Sequence, residues 1–201
     1  MKGSSPDAAS EIVATLEKLL PPDPRLGDLI DVLGARAGGI LLVVVAIPAT
    51  IPALGVPLGT VFGTVLTVIA WRLAVLGPEP RLPQWLGQVP LGATVVTLLS
   101  RRGPALLRRV ERRLRPRAGL LAAGPIRPLL ALVVALMGIL IALPIPFGNT
   151  LPGLAVILMG LGLAWDDGLA VLGALILAAL ATATSAALGW AALASIAHLL
   201  G

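Results

Sequence analysis

The 201-residue chain is 57% hydrophobic and 12% charged, with a formal charge of +5, far from the roughly half-apolar, one-quarter-charged balance of soluble domains. It has no cysteine and a single histidine, His198, which excludes disulfide frameworks, thiolate nucleophiles and the multi-histidine zinc and di-iron centres. The chain reads as an all-α, polytopic membrane protein with no cofactor and no metal.

Residues 1–37 hold six carboxylates and four basic side chains and no long apolar run, so a cleavable signal peptide is not expected. Residues 1–6 read as a disordered tail. From Asp7 to Leu20, the apolar Ile12, Leu16, Leu19 and Leu20 recur at helical spacing until Pro21-Pro22. Asp23-Pro24, an N-cap followed by proline at the first helical position, starts a second short helix that Gly34 ends. Both are too short and too charged to span, and fit the membrane surface or the protein's own face.

Residues 38–77 form the first apolar run, long enough for two crossings of roughly 20 residues each. Pro48, Pro52 and Pro57 interrupt it, leaving a short arm (Gly38 to Ile47) and a longer one (Leu58 to Leu76). A short arm joined to a full one by irregular backbone is the pattern of a re-entrant hairpin or discontinuous helix. Trp71-Arg72 near its end sets an aromatic and a cation at an interface.

Residues 78–128 carry ten arginines against two carboxylates, Glu79 and Glu111, a larger positive excess than that of the whole chain. The segment is therefore expected on the cytoplasmic side, and the N-terminus with it. Pro104 can open a helix that Pro116 stops. On it Leu106, Leu107, Val110 and Leu114 share one face, while Arg108, Arg109, Arg112 and Arg113 share the other. Such a basic amphipathic helix suits an anionic inner leaflet, or a docking partner.

Residues 129–201 repeat the first design and add to it. Leu129 to Trp165 is again an apolar arm, a proline-rich break (Pro144, Pro146, Pro152) around Gly148-Asn149-Thr150, and a second arm ending in Trp165-Asp166-Asp167. The pentapeptide LAVLG follows Arg72 and recurs after Gly168, so the two halves read as structural repeats. If both are hairpins, they enter from the cytoplasmic face and return to it; an inverted arrangement is also open. The alanine-rich run from Leu169 to Leu200, with Thr182, Thr184 and Ser185 at its middle, suits close packing in the bundle or a homo-oligomer interface.

The blocks PIPFGN, LPGLAVILMGLGL and DDGLAVLG between Pro144 and Gly173 closely resemble the pattern of the ExoD family of bacterial membrane proteins. Arg115-Pro116-Arg117 and the break from Pro48 to Pro57 fit the same pattern, and the resemblance runs from about Leu26 to about Leu180. It implies a multi-pass bacterial inner-membrane protein acting in exopolysaccharide synthesis, and leaves the molecular activity open.

The two breaks are the leading candidate sites. Unwound backbone and half-helix ends at membrane depth can bind ions or anionic groups, with side-chain hydrogen bonds from Thr50, Asn149 and Thr150. The other reading makes both breaks external turns, with Asn149 capping the helix that follows. Arg72, Asp166 and Asp167 are the charges nearest the hydrocarbon; Arg72 and Arg127 could grip a substrate phosphate, and Arg72 could pair with Asp166. Against this stand interfacial anchoring and an Asp167-Gly168 turn or N-cap. No Ser-His pair, metal cluster, P-loop or dinucleotide fingerprint is present, so an enzyme is not expected. Nucleic acid is not an expected partner, because the basic residues follow membrane logic and lack an aromatic platform. Two functions are open: transport of an anionic lipid-linked intermediate, such as a lipid-linked saccharide or polyprenyl phosphate, or of a small ion; or a non-transporting scaffold for polysaccharide synthase components.

Overall fold

The computed structural model describes residues 20–50, 58–76, 87–90, 97, 114–115, 126–143 and 148–200. Its elements are α1 (Leu26–Leu33), a 3-10 turn (Gly34–Arg36), α2 (Ala37–Ala49), α3 (Leu58–Leu76), α4 (Arg127–Ala142), α5 (Thr150–Ala164) and α6 (Gly168–Leu200). An isolated antiparallel bridge pairs Arg25 with Pro90. The helix expected over Asp7 to Leu20 lies outside them, as do Pro52, Pro57, Pro144, Pro146 and, apart from Leu114 and Arg115, the basic helix with Arg108, Arg109, Arg112 and Arg113.

Helix ends follow local chemistry. α1 starts at Leu26 rather than at Pro24, with Asp28 accepting a hydrogen bond from the Arg25 N–H at 2.8 Å, the carboxylate half of a capping box. Gly34 ends it at φ 55°, a backbone turn that glycine adopts at no steric cost. α2 runs past Ile47 and through Pro48 to Ala49. A proline this close to the end removes one ladder bond, and the Thr50 N–H closes the helix on the Ala46 and Ile47 carbonyls. α4 opens on Arg127-Pro128 and stops at Ala142, with Leu143 in the extended region (ψ 133°), because the residue before Pro144 is pushed out of the helical basin. Pro152 sits in the first turn of α5, where its missing donor costs nothing.

The α5–α6 junction is the tightest turn. The Asp167 N–H reaches back to the Gly162 carbonyl at 2.9 Å across Asp166, which holds φ 51°; this is a Schellman closure, with an aspartate in the left-handed position usually given to glycine.

The four shorter apolar helices pair across the two halves of the sequence. α2 lies antiparallel to α5, with the Gly39 and Gly160 backbones in contact near one end and Thr50 seated on Gly153 at the other. α3 lies antiparallel to α4, with Gly63 against Gly138 and Ala142, and Gly59 against Ile141. Hydrogen bonds from Thr60 Oγ1 to the Ala142 carbonyl (3.2 Å) and from Thr67 Oγ1 to the Ala135 carbonyl (3.4 Å) cross the second pair. α6 returns antiparallel along α5, with Val171 on Gly162 and Leu158 beside Gly173. Leu42, Leu66, Val134, Met137, Ile141 and Met159 fill the centre. Glycine at the contacts lets backbones approach as they do in membrane bundles.

The outside is apolar as well. Val44, Ile47, Val61, Val68, Leu132, Leu136, Ile139, Leu154, Leu172, Ile176 and Leu180 are all exposed, a patchwork far beyond what a soluble monomer displays. α3 and α6 are long and apolar enough to cross a membrane. At 13, 16 and 15 residues, α2, α4 and α5 measure about 20–24 Å, less than the roughly 30 Å of a hydrocarbon core.

Candidate functional site

The antiparallel pairing gives the bundle two chemically different ends. One end gathers the described residues that border both breaks. Thr50, after α2, packs on Gly153, and Asn149, before α5, packs on Gly59. Thr50, Thr60 and Asn149 therefore share this end, and Thr150 opens α5 beside them. Asn149 stands at the N-cap position of α5, yet its side chain makes no capping bond. Its Oδ1 is buried and has no hydrogen-bond partner among the described residues. The cap reading of Asn149 therefore does not explain the residue. Thr50 donates to the carbonyl of Ile47 at 2.6 Å, and Thr60 to that of Ala142, so both hydroxyls face helix C-termini and keep lone pairs for a further donor or cation.

The other end carries the charges. Asp166, at the left-handed turn, is exposed and bridges Arg127 at 3.1 Å. Asp167 is only 3% exposed. One of its oxygens accepts the Leu169 and Ala170 N–H groups at 3.0 and 3.3 Å, capping α6, and the other accepts the Arg115 N–H at 2.9 Å. Asp167 thus ties residue 115 to the turn between α5 and α6. The carboxylate nearer to solvent is Asp166, and its ion partner is Arg127. Arg72 lies half-buried in the last turns of α3. Trp165 does not face outward: it is 7% exposed and packs near Ile40, Leu114 and Leu161. Its Nε1 has no acceptor among the described residues. Trp71, by contrast, faces outward.

At the charged end the helices leave a small cleft of about 50 Å³. Arg127 lines it from α4, Gly38 and Leu42 from α2, Ala70 from α3 and Leu163 from α5. Among the described residues no cluster of three potential metal ligands forms.

The sequence-predicted residues thus divide. Asn149 and Thr150 meet Thr50 at the breaks, whereas Arg127, Asp166 and Asp167 meet at the opposite end. Sequence reasoning did not single out the glycine contacts or the cleft. The signal for the first was present in Gly59-x-x-x-Gly63, which sets two glycines on one face of an apolar helix. Apart from Arg127, nothing in the sequence marks the cleft, because its other walls are ordinary small and aliphatic residues from four distant segments.

Comparison with known proteins gives four findings. The family described as "Exopolysaccharide synthesis, ExoD" matches residues 9–187. The protein ExoD of Rhizobium meliloti (strain 1021) is 32% identical over 153 residues, 74% of this chain and 62% of that protein; the chain thus spans less than two thirds of that relative's length. An uncharacterized protein of Synechocystis sp. (strain ATCC 27184 / PCC 6803 / Kazusa) is 27% identical over 149 residues, 74% of this chain and 70% of that protein. No solved structure matches the chain.

Proposed function

Because the chain belongs to the ExoD family of exopolysaccharide-synthesis proteins, we propose that it works as a multi-pass inner-membrane carrier, moving an anionic lipid-linked intermediate of the polymer, or a coupling ion, past the paired breaks. One observation supports this reading: the described residues that border the two breaks lie together, Thr50 on Gly153 and Asn149 on Gly59. α2 and α5 place that meeting point about 20 Å from the charged end of the bundle. With Arg127 and Asp166 at one interface, the breaks then fall inside a hydrocarbon layer roughly 30 Å deep. In this reading the two halves are hairpins that enter from one face and return to it. A buried amide oxygen without a partner at that depth is costly unless something visits it. The register that sets Val171 on Gly162 and Gly173 by Leu158 brings Thr182 and Thr184 of α6 to about the level of Asn149, adding hydroxyls to the same layer.

Asn149→Ala tests the carrier. Its side chain makes no capping bond, so the folded protein should melt within a few degrees of the parent, while exopolysaccharide output from a strain carrying only this variant should fall at least tenfold. Full output from a folded Asn149→Ala protein would remove the proposal.

A second reading has one observation in its favour. Past Ser185, the described side chains of α6 are mostly exposed, Trp190 by 77%, which suits a scaffold that presents this helix to synthase components. It predicts that charge reversal at Arg108, Arg109, Arg112 and Arg113 abolishes polymer output, while changes at Thr50 and Asn149 do little.

A further inference from the structure

We infer that the bundle is built as two bodies, α2 with α5 and α6, and α3 with α4, and that one moves against the other along the seam between them. This deepens the carrier reading and rests on it for what the motion serves; the seam itself can be tested in the purified protein.

Contacts within a body and contacts across the seam differ in kind. Inside the first body, a Cβ at Gly39 would strike the Gly160 carbonyl and the Ala164 nitrogen, and one at Gly162 would lie 2.9 Å from the Val171 nitrogen. Inside the second, Gly63 and Gly138 face backbone in the same way, and the Thr60 and Thr67 hydroxyls donate to carbonyls of α4. Backbones seated this closely cannot slide without unpacking, because close-packed interiors transmit strain rather than absorb it. Across the seam the glycines meet side chains instead. Gly38 of α2 faces the end of Leu73 at an ordinary 3.7 Å, and Gly59 of α3 faces the Asn149 amide. Side chains can change rotamer and leave the helices free to shift, as at the shear interfaces of packed helices. The small cleft lies on the seam as well: Gly38, Leu42 and Leu163 line it from the first body, and Ala70, Leu73 and Val134 from the second. A void leaves its lining without partner atoms on one side, so parting the bodies at this point forfeits little contact. At the charged end the Arg127–Asp166 pair crosses the seam, with side chains 30% and 59% exposed, and a pair that open to solvent holds weakly. The seam thus has a soft contact at each end and an unfilled space beside one of them, whereas each body is joined backbone to backbone.

The test uses the absence of cysteine from the full chain. Val134 lines the cleft on the seam and is 1% exposed, and Val171 is buried on Gly162 inside the first body. In phosphatidylcholine nanodiscs, Val134→Cys should react with N-ethylmaleimide at least tenfold faster than Val171→Cys, because the seam opens and the joint of α5 with α6 does not. Equal rates would overturn the inference. A second measurement locks the seam. Gly38→Cys with Leu73→Cys, oxidised in cells with diamide, ties the two bodies together. Leu158→Cys with Gly173→Cys, where a Cβ at 173 meets Leu158 at 3.2 Å, ties two helices of one body. The first disulfide should cut polymer output at least fivefold, with recovery in dithiothreitol, and the second should leave output within twofold of the parent. Full output with the seam locked, or equal loss with either disulfide, would also overturn the inference. The ratio of labelling rates decides the matter whether or not the disulfides form. Asn149→Ala should keep that ratio while polymer output falls, so failure of the seam and failure of the carrier are separately visible.

Discussion

Asp166 and Asp167 are neighbours with opposite surroundings, and the turn explains why. Closing α5 through a left-handed residue turns Asp166 outward to Arg127, and swings Asp167 under the first N–H groups of α6. Asp167→Ala removes the acceptor for three backbone donors at once, Leu169, Ala170 and Arg115. A lost cap costs about 1–2 kcal/mol, so a clear fall in melting temperature is expected, and Asp167→Asn should recover part of it. Asp166→Asn should leave stability within about 1 kcal/mol of the parent, as for other exposed ion pairs, which thermal unfolding in detergent would check. The sequence already offered both roles for this pair, a charge near the hydrocarbon and an N-cap. It could not apportion them, because the choice depends on the sign of one φ angle. For Trp165 the ordinary preference of indole for the interface pointed outward. Burial beside Leu114 and Ile40 depends on a segment some 50 residues away in sequence.

Elements were legible where proline, glycine and apolar runs set their limits. The extents of α3, α5 and α6 follow from such punctuation, and the arrest of α4 at Ala142 follows from Pro144. What the sequence left open was which helix meets which. A Cβ at Gly63 would lie 2.6 Å from both the Ala142 nitrogen and the Gly138 carbonyl oxygen, and backbone cannot step aside as a side chain can. Gly63→Ala should therefore part α3 from α4 and destabilise by about 1–3 kcal/mol, the usual range for overpacking. Gly38→Ala, in ordinary contact with Leu73, should be close to neutral. Equal effects in an SDS-unfolding titration would deny the close contact of α3 with α4. The intervals between Gly59, Gly63 and Thr67 place all three on one face of α3, but their partners on α4 are about 70–80 residues away, beyond the reach of local pattern.

For the whole molecule, the result that matters is that the described residues bordering both breaks lie at one end of the bundle, about 20 Å along α2 and α5 from the charged end. Repeated composition and the shared LAVLG pointed to two similar halves. Their cross-pairing, α2 with α5 and α3 with α4, arises from close glycine packing and, in the second pair, from the threonine hydrogen bonds that cross it. Depth in the membrane is the quantity that separates a carrier from a scaffold, and the cysteine-free chain allows it to be measured directly. Single cysteines at Thr50 and at Asn149, probed in intact cells and in inverted vesicles with a membrane-impermeant maleimide, should label slowly from outside, and faster from the cytoplasmic side if a water path reaches them. Rapid labelling of both from outside, at the rate of an exposed loop, would place the breaks in solvent and contradict the carrier.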